Sequence, residues 1–174
     1  MWRACSAMCD NGRAMNKKTI HQRFINQLTA ELESITASAK ASFATATSDE
    51  HRAENKYDTF KLESSFLARG QAKRVQELTD ALESLRMLPV NVLPDRTPVQ
   101  LGALMRLKAD DESTRTLLFG SAAGGETIVV NREEITIITS GSPVGQALLG
   151  KIAGETFQIK IGPATQICEI LSVT

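Results

Sequence analysis

Between Ile20 and Phe43 the apolar residues fall at Ile20, Phe24, Leu28, Leu32, Ile35, Ala39 and Phe43, in steps of three and four. That spacing lines them along one face of a helix, and the stretch holds neither proline nor glycine. A second stripe, Tyr57, Phe60, Leu67, Val75, Leu78, Leu82 and Leu85, follows a short polar interruption. Each segment is about 30 residues long, so each helix should measure roughly 45 Å at about 1.5 Å per residue. A stripe this narrow closes no globular core alone. Two facing stripes can zip together, and the short break between them allows only an antiparallel arrangement. The expectation is a long antiparallel coiled-coil hairpin over 15–88, with its tip near 46–55. Gly70, inside the second helix, should cost about 1 kcal/mol relative to alanine, unless it admits a close neighbour. Leu62 and Phe66 point away from the stripe, towards a second copy, the other domain or a partner protein.

Pro89, Pro94 and Pro98 end the helical regime. Residues 89–98 read as a compact linker. Beyond it the period changes: "VQLGALMRLKA", "STRTLLFG", "EITIITS", "ETFQIKI" and "TQICEILSV" alternate as short strands between turn residues. "SPVGQALLGK" interrupts them as a short helix, with Ser142 as its cap, Pro143 in its first turn and Gly150 at its end. Residues 99–174 are therefore expected to form a small, mostly antiparallel α+β domain with one short helix. "GSAAGG" near Gly120 reads as a mobile loop between strands.

Twenty basic residues balance twenty acidic ones, which argues against finding nucleic acid by global electrostatics. No apolar run approaches the roughly 20 residues that span a bilayer, so no membrane partner is expected. Residues 1–14 lack the apolar region of a signal peptide and read as a disordered tail or extension. Cys5, Cys9 and Cys168 have no framework spacing, which points to a reducing, cytoplasmic setting. Cys5, Cys9 and His21 match no zinc pattern.

The interruption itself, "SDEHRAENKY", carries Asp49, Glu50, His51, Arg52 and Glu54. A connector needs polarity but not this density of carboxylates. It is either a solvated turn or a tool carried at the end of an arm. His51 and Arg52 in their plainest role screen the acids from one another. Arg69, Lys73 and Arg74 on the second helix read as a solvated face before they read as a contact for RNA or a protein.

The C-terminal segment carries a more specific signal. Ser142-Pro143, the run Ala147-Leu148-Leu149-Gly150-Lys151 and the strands from Thr156 and Gln166 together resemble the closing segment of the bacterial Gre transcript-cleavage factors. The resemblance covers the chain from about Met15 onward. It implies an FKBP-like fold for 99–174 and a hairpin that enters the secondary channel of RNA polymerase. It further implies that tip acids help hold magnesium in the polymerase's own active site. Asp49, Glu50 and Glu54 would be those catalytic, metal-holding residues, with His51, Asn55 and Tyr57 shaping the tip. Ser142, Pro143, Leu148, Leu149, Gly150 and Lys151 would dock the C-terminal domain on the polymerase.

The protein would then be a catalytic accessory and not an enzyme by itself, meeting an RNA 3′ end only within the polymerase complex. It would act as a monomer or with weak self-association. The family's tip reads Asp-x-x-Glu-Asn with a tyrosine shortly after. Aligning Glu54 with the family's glutamate puts His51 at the aspartate position; counting back from Tyr57 puts Glu50 there and Ala53 at the glutamate. The resemblance thus allows a cleavage factor or a channel-binding regulator that does not cleave. An interaction module and a prolyl isomerase are remoter alternatives, the second weakened by the lack of Trp and Tyr in the C-terminal half.

Overall fold

The structure is a computed structural model that describes residues 16–48, 57–94, 96–161 and 164–174, with side chains described outside 41–48, 57–68, 160–161 and 164. Two long helices come first, α1 (Lys17–Ser48) and α2 (Tyr57–Arg86). Six strands and one short helix follow: β1 (Leu104–Ala109), β2 (Thr114–Gly120), β3 (Thr127–Val130), β4 (Glu133–Thr139), α3 (Pro143–Leu148), β5 (Thr156–Ile161) and β6 (Ala164–Val173). The helices pair antiparallel. His21 meets Leu85 and Glu31 meets Arg74, so partner numbers fall along α2 as they rise along α1.

The strands form one sheet in the order β3-β4-β2-β1-β6-β5. Four of its neighbouring pairs are antiparallel, but β2 and β4 run parallel. The reason lies in β3, a strand missing from the periodicity above. After β2 the chain skips one strand position and lays β3 at the edge. A two-residue turn at Asn131 and Arg132, both with positive φ, then returns β4 into the vacant slot. Such a turn matches the twist of a hairpin, and it forces β4 into the direction of β2.

The sheet is apolar on both faces. Leu104, Leu118, Ile128, Val130, Ile135 and Ile137 face the helical pair and share a buried cluster with Ile20, Phe24, Leu28, Leu78, Leu82 and Leu85. Met105, Leu117, Phe119, Ile138, Phe157 and Ile170 face the other way and pack with Leu148 of α3. The base of the helical pair is therefore part of the sheet's core. Burial weakens along the arm: Ile20, Phe24 and Leu28 are buried, while Leu32 and Ile35 are only partly so. "GSAAGG" also differs from its reading as a mobile loop. Ala122 and Ala123 pack on the helical cluster, and Gly125 N–H donates to Ile137 O at 2.8 Å.

A Cβ built at Gly70 meets nothing within 4 Å, so no neighbour among the described residues requires this glycine. Gly70→Ala should stabilise the chain by about 0.5–1 kcal/mol, seen as a melting temperature raised by roughly 1–4 °C. An unchanged or lower value would mean that the site makes a contact through its bare backbone.

Lys17 opens α1 beneath the sheet and is almost wholly buried. Its Nζ donates to the main-chain oxygens of Asn91 and Thr174, each at 2.8 Å, tying the first helix to the linker and the last strand. Burial lowers its pKa from the ordinary 10.5. The unfolded chain thus keeps this proton to higher pH than the folded one, and stability rises with pH between the two values. Wild type should accordingly gain stability relative to Lys17→Met as pH is raised towards 10.5, measured by urea midpoints. A constant difference would rule out this titration.

Candidate functional site

Asp49, Glu50, His51, Glu54 and Asn55 lie outside the described residues, as does Arg52. Tyr57 is the first residue of α2, and its side chain, like those of Leu62 and Phe66, is not among those described. What the structure gives is the frame around that segment: α1 enters it at Ser48 and α2 leaves it at Tyr57. The opposite ends of both helices are fastened to the sheet.

The second candidate group, 142–151, is described throughout. Ser142 caps α3: its Oγ accepts from Gly145 N–H at 3.0 Å and donates to Thr139 O at 2.8 Å. Pro143 starts the helix, and Gly150 takes a φ of +80° just beyond its end. Lys151 O accepts from Val99 N–H and Gly150 N–H donates to Val99 O, which stitches α3 to the end of the linker. Leu148 departs from its expected docking role. It is wholly buried, so it serves the sheet's core and offers no surface to a partner.

Leu149 is different, with 53% of its surface exposed. It shares a shallow cleft of about 500 Å³ with Pro89, Leu93 and Leu101. Met87 and Val92 are also largely exposed close by in the linker region. Leu101 and Met87 are surface residues that sequence reasoning missed. Leu101 sits within "VQLGALMRLKA", read as one strand, but β1 begins only at Leu104 because Gly102 turns the chain with a φ of +81°.

The face of the sheet that α3 leaves uncovered holds a groove of about 780 Å³. Leu107, Leu117, Ile138, Val144, Ile159 and Cys168 line it together with charged side chains such as Arg106, Arg115 and Glu133. Cys168 is a buried thiol whose pKa burial raises.

His21 spends its Nε2 on Leu85 O, at 2.6 Å. Among the described residues, no group of three or more His, Cys, Asp or Glu could hold a metal, and no helix is long and apolar enough to cross a membrane. Lys73 pairs with Glu77 at 3.6 Å. Arg74 is more than a solvated cation. Its guanidinium meets Glu31 of α1 at 2.6 Å, Glu126 before β3 at 3.6 Å and Glu77 at 4.0 Å. The hydrogen bond to Glu31, first of all, raises its pKa.

Comparison with known proteins returns to the family that the 142–151 run resembles. The transcription elongation factor GreA of Thermomicrobium roseum is 26% identical over 117 residues, covering 67% of this chain and 68% of its own. That of Clostridium botulinum is 28% identical over 121 residues, or 68% of each chain. A solved structure of the transcription factor Gfh1 aligns with a TM-score of 0.38 at 17% identity, covering 91% of this chain and 94% of that one. At that score the fold description rests on the sheet order and helix packing given above. No protein-family model matches the chain. The similarity to Gre factors is thus found both in local motifs and across two thirds of the sequence.

Proposed function

We propose that this chain, similar in sequence to the Gre transcription elongation factors, is itself an elongation factor that acts on RNA polymerase. Its helical arm enters the polymerase's secondary channel as a coiled coil and stimulates cleavage of backtracked transcripts. The observation that carries this reading is the arm. Helices of 32 and 30 residues are rooted at one end in the core of a sheet, and the segment joining their other ends contains Asp49, Glu50 and Glu54.

Those three carboxylates are a donor set that suits magnesium, which takes oxygen ligands and often only one or two carboxylates, with water and phosphate completing its shell. Metal ions at a phosphodiester activate the attacking water and stabilise the leaving oxygen. This chain would supply oxygen ligands to an ion held jointly with the polymerase and would carry no catalytic pocket of its own. The RNA 3′ end is met only inside that complex, in the cytoplasm, with His51, Asn55 and Tyr57 shaping the tip. An FKBP-like C-terminal domain stays at the channel mouth, with Pro143, Leu149 and Gly150 offering the exposed part of the docking group.

The test is transcript cleavage in a stalled, backtracked elongation complex with cognate polymerase and magnesium. Short 3′ fragments with the wild type, and none after replacement of all three acids by alanine, are expected. A second reading, a channel-binding regulator that does not cleave, is favoured by the shifted tip register, Glu54-Asn55-Lys56-Tyr57. It predicts slower elongation without fragments. No effect of any kind on polymerase would overturn both.

A further inference from the structure

We infer that Glu126 and Arg74 form a clamp that aims the helical arm relative to the sheet. This rests on the proposed reading of 49–54 as the arm's working end. Glu126 is a fixed point on the sheet side: its main-chain oxygen accepts from Ile137 N–H at 2.8 Å, while Ala122 and Ala123 just before it pack on the helices. Its carboxylate is approached from both helices, by Gln27 Nε2 of α1 at 3.4 Å and by Arg74 Nη2 of α2 at 3.6 Å. Arg74 also holds Glu31 of α1 at 2.6 Å. One guanidinium thus joins the two helices to each other and to the sheet. Arg23, two turns nearer the base, donates to Val129 O on edge strand β3 at 3.2 Å, giving the clamp a second foot.

Position along the arm gives the clamp its importance. Leu28 is the last fully buried residue of α1 among those described. Past Glu31, α1 continues to Ser48, roughly 25 Å at about 1.5 Å per residue. A swing of about 10° at the clamp would move that end by roughly 4 Å over this helical length. Exposed ion pairs add little to stability. Yet a misplacement of about 1 Å at a reacting centre can cost about a hundredfold in rate. The clamp is therefore weak as a stabiliser and strong as an aiming device.

Glu126→Ala separates these roles, because it removes the Gln27 and Arg74 contacts at Glu126 and leaves the buried base and the Arg74–Glu31 pair in place. Spin labels at Lys40→Cys on α1 and Glu169→Cys on β6, both exposed positions, report the angle in a Cys5→Ser, Cys9→Ser, Cys168→Ala background. With Glu126 present the distance distribution should be narrow; with Glu126→Ala it should broaden or shift, while circular dichroism and the melting temperature barely change. Salt near 1 M, which shortens the screening length to about 3 Å, should broaden the wild type in the same way. In the polymerase assay, Glu126→Ala should lower the tip-dependent effect by about tenfold or more through maximal rate, with affinity little changed.

An unchanged distance distribution overturns the clamp. Broadening with full polymerase activity overturns its aiming role. If neither protein affects polymerase, the function reading fails, and the distance result alone decides the clamp.

Discussion

Replacing Gly145 with alanine should be among the most damaging single methyls that can be added to this chain. A Cβ at that position would lie 1.9 Å from Thr139 O and 2.7 Å from its carbonyl carbon. Both are backbone atoms at the end of β4, so no side-chain rotation gives relief. The carbonyl cannot move freely either. It accepts from Ser142 N–H at 3.0 Å and from Ser142 Oγ at 2.8 Å, and the same Oγ caps α3 through Gly145 N–H. Pushing it away breaks the turn and the cap together.

Overpacking in a closed site costs about 1–3 kcal/mol, and a lost cap adds about 1 kcal/mol. The expected result is thus a destabilisation of about 3 kcal/mol, or a melting temperature lowered by roughly 6–12 °C. Urea unfolding of Gly145→Ala beside Gly70→Ala makes the comparison sharp. The same substitution should weaken the fold at the first site and strengthen it at the second. Equal, small effects at both would mean that the close approach of α3 to Thr139 is wrong.

That contrast shows what the sequence carries and what it hides. Both glycines stand inside helices, and composition alone ranks them alike. Ile20, Phe24, Leu28, Leu78, Leu82 and Leu85 announce two helices through their period, and five strands and the Ser142 cap follow from alternation and turn chemistry. Strand β3 does not, because it is four residues long and its hairpin turn, Asn131-Arg132, lacks the glycine that usually marks such turns. The parallel pairing of β2 with β4 depends on where that edge strand lies, which is a tertiary fact.

"GSAAGG" looks mobile because small residues carry no periodicity; the packing of Ala122 and Ala123 is visible only once the helices are in place. Leu148 and Leu149 are adjacent and chemically identical, and only the fold separates the core residue from the surface one. The Arg74–Glu126 contact joins residues 52 positions apart, beyond the reach of any local pattern.

The second large effect belongs to the tip. On the proposed reading, Asp49→Ala, Glu50→Ala and Glu54→Ala combined should reduce transcript cleavage in backtracked complexes by about 100-fold or more, the scale on which preorganised charge acts at a reacting centre. On the same reading binding to polymerase should persist, because the proposed docking group lies on the C-terminal domain.

The single substitutions then decide the register. If Glu54 occupies the family's glutamate position, Glu54→Ala should account for most of the loss and Glu50→Ala for little. If the register counts back from Tyr57, the order reverses, since Ala53 then stands at the glutamate position and Glu50 is the acid that remains. Equal losses at Asp49, Glu50 and Glu54 would mean a diffuse acidic tip that attracts the ion without a defined ligand pair. Raising the magnesium concentration should then rescue each single variant, as it would for a ligand set whose contribution is mainly local ion concentration. Full cleavage by the triple variant would remove the tip from the mechanism and leave the arm as a channel-filling regulator.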